Sequence, residues 1–413
     1  MRESLDTVVI GGGHAGLSIS YFLTDRDREH IVLERGRVGE TWRSRRWDSF
    51  TLVTPNWMNQ LPGFQYDGPD PEGYLPRDDI SGYMEDYVRT FSLPVRPGVA
   101  VTALKGRSQG DGYTVQTGDG SFDARNVVVA TGAFQLPKIP GFSAEITQDV
   151  HQIASNDYRN PDTLPDGKVL VVGSGQSGCQ IAEELSDSGR DVFLCTSGCG
   201  WIPRRYRGQD TTWWWAKHTG RFEMTVDQLE SPAMQFACNP QATGKNGGHD
   251  INLRLLARSG VILLGRLAGA RGTVIELGSD LQENVRKSDE FAAKITKNID
   301  EAISKAGIDA PKEEISYDSD QASKLGLPSY DTLDLKWEGI NTIIWAIGFD
   351  LDHSWVDLPV IDDQGRAVHK RGVTEQPGLY FLGLHFQHTA KSDLFFGIGE
   401  DAEYIADSIE TRY

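Results

Sequence analysis

Two glycine triads carry the plainest chemical signal in the sequence: Gly11, Gly13 and Gly16 in VVIGGGHAGL, and Gly173, Gly175 and Gly178 in VVGSGQSGCQ. In a strand-turn-helix unit the first glycine makes the tight turn, the second lets backbone approach a pyrophosphate, and the third packs the helix on the strand. Free N–H groups at the helix start then face the phosphates, with the positive end of the helix dipole behind them. His14 and Ala15 complete the first cradle, and Gln176 and Ser177 the second. Two cradles imply two anionic nucleotides on one chain.

Residues further along each unit separate the two ligands. An acid is expected about 20 positions past the triad, where a second strand ends and its carboxylate can accept from both ribose hydroxyls. IVLERG supplies Glu34, followed by Arg35. The second unit has DVFLCTS at that place; it closes on Ser197 with no acid, and WIPRRYRG brings Arg204, Arg205 and Arg207 soon after. A hydroxyl and bidentate guanidinium groups suit a ribose 2′-phosphate. The first cradle therefore reads as a site for FAD or NAD and the second as a site for NADP.

The segments around the cradles set the fold. YTVQTGDGSFDARNVVVATGAF reads as strand, turn and strand, ending in Thr131 and Gly132, and the two prolines of QLPKIPGF mark a linker. A long polar helix is expected around ENVRKSDEFAAKITKNIDEAISKAG. NTIIWAIGFD then repeats the theme of NVVVATGAF and stops at Gly348; GLYFLGL is a strand that runs into Gly383, and GIGEDAEYIADSIE is a helix with a glycine-rich start able to face a flavin. The expectation is an α/β fold of two Rossmann-like dinucleotide-binding domains. Residues 1–160 plus 335–413 form the FAD-binding domain, and residues 161–334, with a helical insertion, form an NADP-binding domain inserted into it.

Composition narrows the partners. With 413 residues, 38% hydrophobic and 24% charged, the chain can build two or three cores, and a net charge of -18 repels nucleic acid and anionic membrane. No apolar run is long enough to span a bilayer, and the first strand begins too near Met1 for a signal peptide, so a cytoplasmic protein is expected. Cys179, Cys195, Cys199 and Cys238 contain no C-x-x-C pair and read as ordinary buried or loop thiols. His385 and His388 have no evident third donor, so no metal is expected. Trp213, Trp214 and Trp215 read first as core, and Asn239, before a proline, reads first as a turn but could also reach substrate or nicotinamide.

Taken together, the first cradle with Glu34, VGETWRSRRWDSFTLVTP, ATG at 130–132, GSGQSG and WAIGFD resemble the flavin-dependent monooxygenases with two dinucleotide-binding domains. That group includes the flavin-containing, YUCCA-type and Baeyer-Villiger enzymes. Thr41, Trp42 and Thr54 lie in the stretch that the resemblance places along the flavin, and the ATG and AIG pieces resemble its crossovers between domains. Two positions depart from the family pattern. If Tyr158 is the aromatic end of the inter-domain signature, Ala154 stands at its histidine, with His151 offset, and Pro55 precedes Asn56 where mammalian-type members have asparagine.

The resemblance implies that NADPH passes hydride to FAD, that O₂ adds to the reduced flavin, and that the resulting hydroperoxide gives one oxygen atom to a small organic substrate. Asn56, Asn239 and Arg46 are the candidate catalytic residues, and Arg43, Arg45 or Arg46 could stabilise a deprotonated peroxide. The departures keep open an NADPH oxidase or reductase without oxygen transfer, and a nucleotide-sensing protein is a third reading. The chain could act alone or as a homodimer.

Overall fold

The computed structural model describes residues 2–107, 111–313 and 329–412. Val8 and Val9, and Val169, Leu170 and Val171, are fully buried, because each strand is covered on both faces, by helices on one and by antiparallel strands on the other, and needs apolar side chains on both. These runs are the central strands of two sheets.

In the first sheet Arg2–Ile10 lies between His30–Glu34 and Gly120–Val129, parallel to both. Val95–Pro97 extends one edge, Leu379–Phe381 runs parallel beside the end of Gly120–Val129, and Tyr113–Thr117 forms an antiparallel hairpin with its beginning. The second sheet is wholly parallel, in the order His151–Ala154, Ile340–Trp345, Lys168–Val172, Val192–Cys195, Ile262–Leu264. Both sheets carry the cradle unit, as expected, and the polar helix runs from Leu281–Ala306. Leu281, Val285, Ile295 and Ile299 are buried on one of its faces.

The boundaries of the units are corrected. His151–Ala154 and Ile340–Trp345, assigned from the sequence to the first unit, are strands of the second sheet. The chain crosses between units nearer residues 130–138 and 346–350, where Leu136–Pro137 pairs antiparallel with Phe349–Asp350. The Pro-containing linker is thus a two-strand crossover. Its partner strand follows AIG.

Candidate functional site

Every strand end that matters points into one cleft of about 2050 Å³. This is where an open α/β sheet binds its ligands, outside the carboxyl ends of parallel strands. Ile10, Glu34, Ala130, Val172, Cys195, Trp345 and Gly383 all line it.

The two cradles are built alike. Gly11 has φ +113°, and a Cβ there would lie 2.4 Å from the Ala130 carbonyl oxygen; Gly173 has φ +106°, and a Cβ would lie 2.5 Å from the Ala346 oxygen. That close approach, with a positive φ, is the physical reason for glycine at 11 and 173 where the ATG and AIG backbones pass. Gly16 and Gly178 pack helix on turn, since a Cβ would come within 1.9 Å of the Gly11 oxygen and 1.8 Å of the Gly173 oxygen respectively. Neither lines the cleft. Gly13 and Gly175, which do, cap the helices His14–Asp25 and Gln176–Asp187 without any side-chain cap, and a Cβ on either meets nothing within 4 Å. Uncapped amides beneath open space fit a pyrophosphate.

Glu34 is buried at its strand end, where its carboxylate accepts from the Gly12 N–H at 2.7 Å and the Gly36 N–H at 2.8 Å. This holds it rigidly on the cleft wall beside Arg35, as a ribose acceptor requires. His14, Ala15, Thr41, Trp42, Thr54, Thr131 and Gly132 line the same part, and Gln176, Ser177, Ser197, Asn239 and Gly348 line the other. Ser197 is tied to the second cradle, its N–H donating to Ser174 Oγ at 2.8 Å.

Of the three nearby arginines, Arg43 pairs with Glu85 and Arg45 with Asp157. Arg46 lines the cleft, its guanidinium stacked near Trp42, Phe50 and Phe134 at 5.2, 5.6 and 5.8 Å from the ring centroids. Burial pushes its pKa down to about 10, which leaves a cation in an aromatic wall.

Two expectations fail. Arg204 is buried, bonded to Asp210 at 2.6 Å and to the Val53 oxygen at 2.8 Å, and lies over the Tyr74 ring. Arg205 donates to the Gly247 and Gly248 oxygens, and Arg207 pairs with Asp300. None of the three lines the cleft; the loop turns back onto the protein because Asp210, Asp300 and nearby carbonyls claim its cations. Asn56 is also withdrawn, its side-chain amide donating to the Asp70 oxygen at 2.9 Å. The last helix, Ile398–Glu410, opens at Gly397 without a side-chain cap; in its first turn Glu400 pairs with Lys391 and Asp401 with Arg371.

Sequence reading missed two features. Arg266, just beyond Ile262–Leu264, lines the cleft, and its strand neighbours Val192–Cys195, which leads to Ser197. Only strand adjacency brings it there. His385, passed over as a metal ligand, lines the cleft with Nδ1 2.8 Å from Asp393 Oδ2. Burial opposes its charging, but the hydrogen bond and charge of Asp393 prevail and raise its pKa. Neighbouring His14, 3.1 Å from the Asp393 carbonyl oxygen, is instead pushed down by burial. Trp214 and Trp215 are buried in a core cluster, as the first reading has it. Among the described residues no cluster suits a metal ion, and no helix is long and apolar enough to cross a membrane.

The His385–Asp393 pair gives a pH signature. A histidine raised above its unfolded value of about 6.5 adds stability below that pH and loses it as pH rises through the higher folded value. Asp393→Asn should therefore destabilise by about 1.5–3 kcal/mol in acid, with the gap to wild type narrowing as pH rises. Thermal unfolding across pH checks this; a gap independent of pH contradicts it.

The family model described as pyridine nucleotide-disulphide oxidoreductase matches residues 8–236. An uncharacterized CzcO-like oxidoreductase of Geobacillus kaustophilus is 32% identical over 412 residues, 99% of each chain. Among solved structures, a flavin-containing monooxygenase from Stenotrophomonas maltophilia aligns with TM-score 0.65 and 20% identity over 99% of both chains. OTEMO in complex with FAD and NADP aligns with TM-score 0.56 and 15% identity, covering 98% of this chain and 85% of the other. These neighbours bear out the resemblance to two-domain flavin monooxygenases and the α/β fold class. The chain belongs to the pyridine nucleotide-disulphide oxidoreductase family, with two glycine cradles opening on one cleft.

Proposed function

We propose that the protein is an NADPH-dependent FAD monooxygenase acting on a small organic substrate. The observation that carries this reading is the shared cleft: two uncapped helix ends on two sheets converge on one space, so two nucleotides would meet there. Glu34 and the first helix would hold the FAD ribose and pyrophosphate, and Gly175 to Ser177 the pyrophosphate of NADPH. Bound FAD supplies electron transfer and oxygen activation, which side chains lack. The chain orients the reactants and excludes water with Trp42, Phe50, Phe134 and Phe395, which line the cleft. Arg46 offers a fixed positive charge where an anion would form, and His385 holds a proton at Nδ1 against Asp393.

Arg266, with Ser197, replaces the 204–207 cluster as the group that reads the 2′-phosphate. Its side chain is 67% exposed and held, among the described residues, only by a long ion pair to Asp280, 3.9 Å, which a phosphate gripped in a bidentate fork would outcompete. Arg266→Ala should raise the KM for NADPH about tenfold at low salt and leave that for NADH nearly unchanged, while Arg205→Ala should alter neither. Steady-state kinetics with both nucleotides measure this. An unchanged preference in Arg266→Ala removes the assignment.

The test of the function is turnover of the holoprotein with NADPH and isotopically labelled oxygen gas over a panel of amines, sulfides and ketones. Label in an organic product supports oxygen transfer. A second reading, oxidase or reductase with the same cofactors, draws on Ala154 and Pro55, the two departures from the family pattern, neither of which lines the cleft. It predicts hydrogen peroxide equal to NADPH consumed with every compound offered.

A further inference from the structure

Cys199 and Cys238 are distant in sequence, yet their Sγ atoms lie 2.7 Å apart with one thiol donating to the other. That is inside the about 3.5–4.0 Å of ordinary non-bonded contact. Both are free thiols, Cys199 buried and Cys238 exposed on the cleft wall. Their mutual hydrogen bond holds Cys238 below the usual thiol range and pushes Cys199 up. An exposed thiolate beside a buried second thiol is the arrangement that reacts with an oxidant and then resolves. Cys179 and Cys195 are fully buried and pushed up by burial, so neither competes as nucleophile.

Their position gives the pair a mechanical consequence. Residues 225–241 form a strap along the cleft rim. At one end the Val226 N–H donates to the His388 oxygen and the Gln235 side chain to the Phe386 oxygen. At the other, Gln176 of the second cradle donates to the Pro240 oxygen at 3.2 Å, and Gln241 donates to the Ser174 oxygen at 2.7 Å. Cys199 sits under that second end, donating to the Asn239 oxygen at 3.3 Å. Along the strap, Gln235 to Asn239 face the cleft.

We propose that Cys199 and Cys238 are a redox-active dithiol that hydrogen peroxide closes to a disulfide, pinning the strap to the second cradle. In the first step the Cys238 thiolate attacks peroxide: an S–O bond forms, the O–O bond breaks, and hydroxide leaves to take up a proton as water. In the second, the Cys199 sulfur displaces the hydroxyl from Cys238, forming the S–S bond and releasing a second water. Two thiols lose two electrons to one peroxide. The proposal rests on the proposed flavin chemistry only for the natural source of peroxide.

The experiment adds hydrogen peroxide to the resting holoprotein with no nicotinamide nucleotide, so its failure is separable from failure of the monooxygenase reading. Alkylation after denaturation should then find two of the four thiols lost, a peptide linking Cys199 to Cys238, and full recovery with dithiothreitol. Chymotryptic cleavage within the strap, at Leu229 or Phe236, should slow at least about threefold on oxidation. Cys238→Ser should show neither effect. Four free thiols after oxidation, a link between a different pair, or equal cleavage rates in the oxidised and reduced protein would each overturn the proposal.

Discussion

Gly178→Ala should slow reduction of the proposed flavin by NADPH at least about 100-fold while leaving the flavin bound. The added Cβ would lie 1.8 Å from the Gly173 carbonyl oxygen and 2.9 Å from its carbon. Neither atom can yield, because Gly173 is already wedged against Ala346. The helix Gln176–Asp187 must lift off Lys168–Val172, breaking packing among Val169, Val171, Cys179 and Ile181. Overpacking of this kind costs about 3 kcal/mol. A shift of about 1 Å in the amides that position a cofactor is enough to cost about 100-fold in rate. The first cradle, proposed for FAD, belongs to the other sheet and should keep its geometry. Gly175→Ala is the control: its Cβ meets nothing within 4 Å, so the variant should melt with wild type yet bind NADPH poorly. Absorbance spectra and stopped-flow mixing measure both. Wild-type bleaching in Gly178→Ala would show that the second cradle does not hold the nucleotide.

Arg204→Ala should be the most destabilising change in the arginine loop, at about 3–5 kcal/mol, because it strands a buried carboxylate. Asp210 also accepts from Tyr74 Oη at 2.6 Å and from the Thr212 N–H at 2.7 Å, but among the described residues its ion pair is with Arg204 alone. The guanidinium joins this loop to Val53 and Tyr74 on the other unit, so denaturant unfolding should report the loss over both units. Arg205→Ala, which surrenders bonds to two backbone oxygens of an exposed turn, should stay within about 0.5 kcal/mol of wild type. Equal stability of the two variants would remove the buried role given to Arg204.

The contrast between these arginines explains how far the sequence could be read. The triads, Glu34, ATG and AIG were legible because their reason is local: a turn, a strand end, a close backbone approach. Arg204 was misread because nearness to a strand end in sequence is not nearness in space; Asp210, six residues on, and Tyr74, from the other unit, decide where it points. Arg266 was illegible for the converse reason, since a helix, Leu253–Arg258, separates its strand from the second cradle before the sheet brings them together. The placement of Ile340–Trp345 in the second sheet follows from Ala346 seating on Gly173, a contact the repeated motif hinted at without saying which cradle it served. His385–Asp393 and Cys199–Cys238 are pairs made by loops, and periodicity carries no information about them.

The measurement that bears most directly on the central claim is anaerobic mixing of the purified yellow protein with NADPH and, separately, NADH, followed by admission of oxygen. Bleaching of the flavin by NADPH in preference to NADH, with less hydrogen peroxide than NADPH consumed once substrate is present, is the predicted result. A flavin that NADPH leaves oxidised would contradict the claim that both cradles deliver their nucleotides to one cleft.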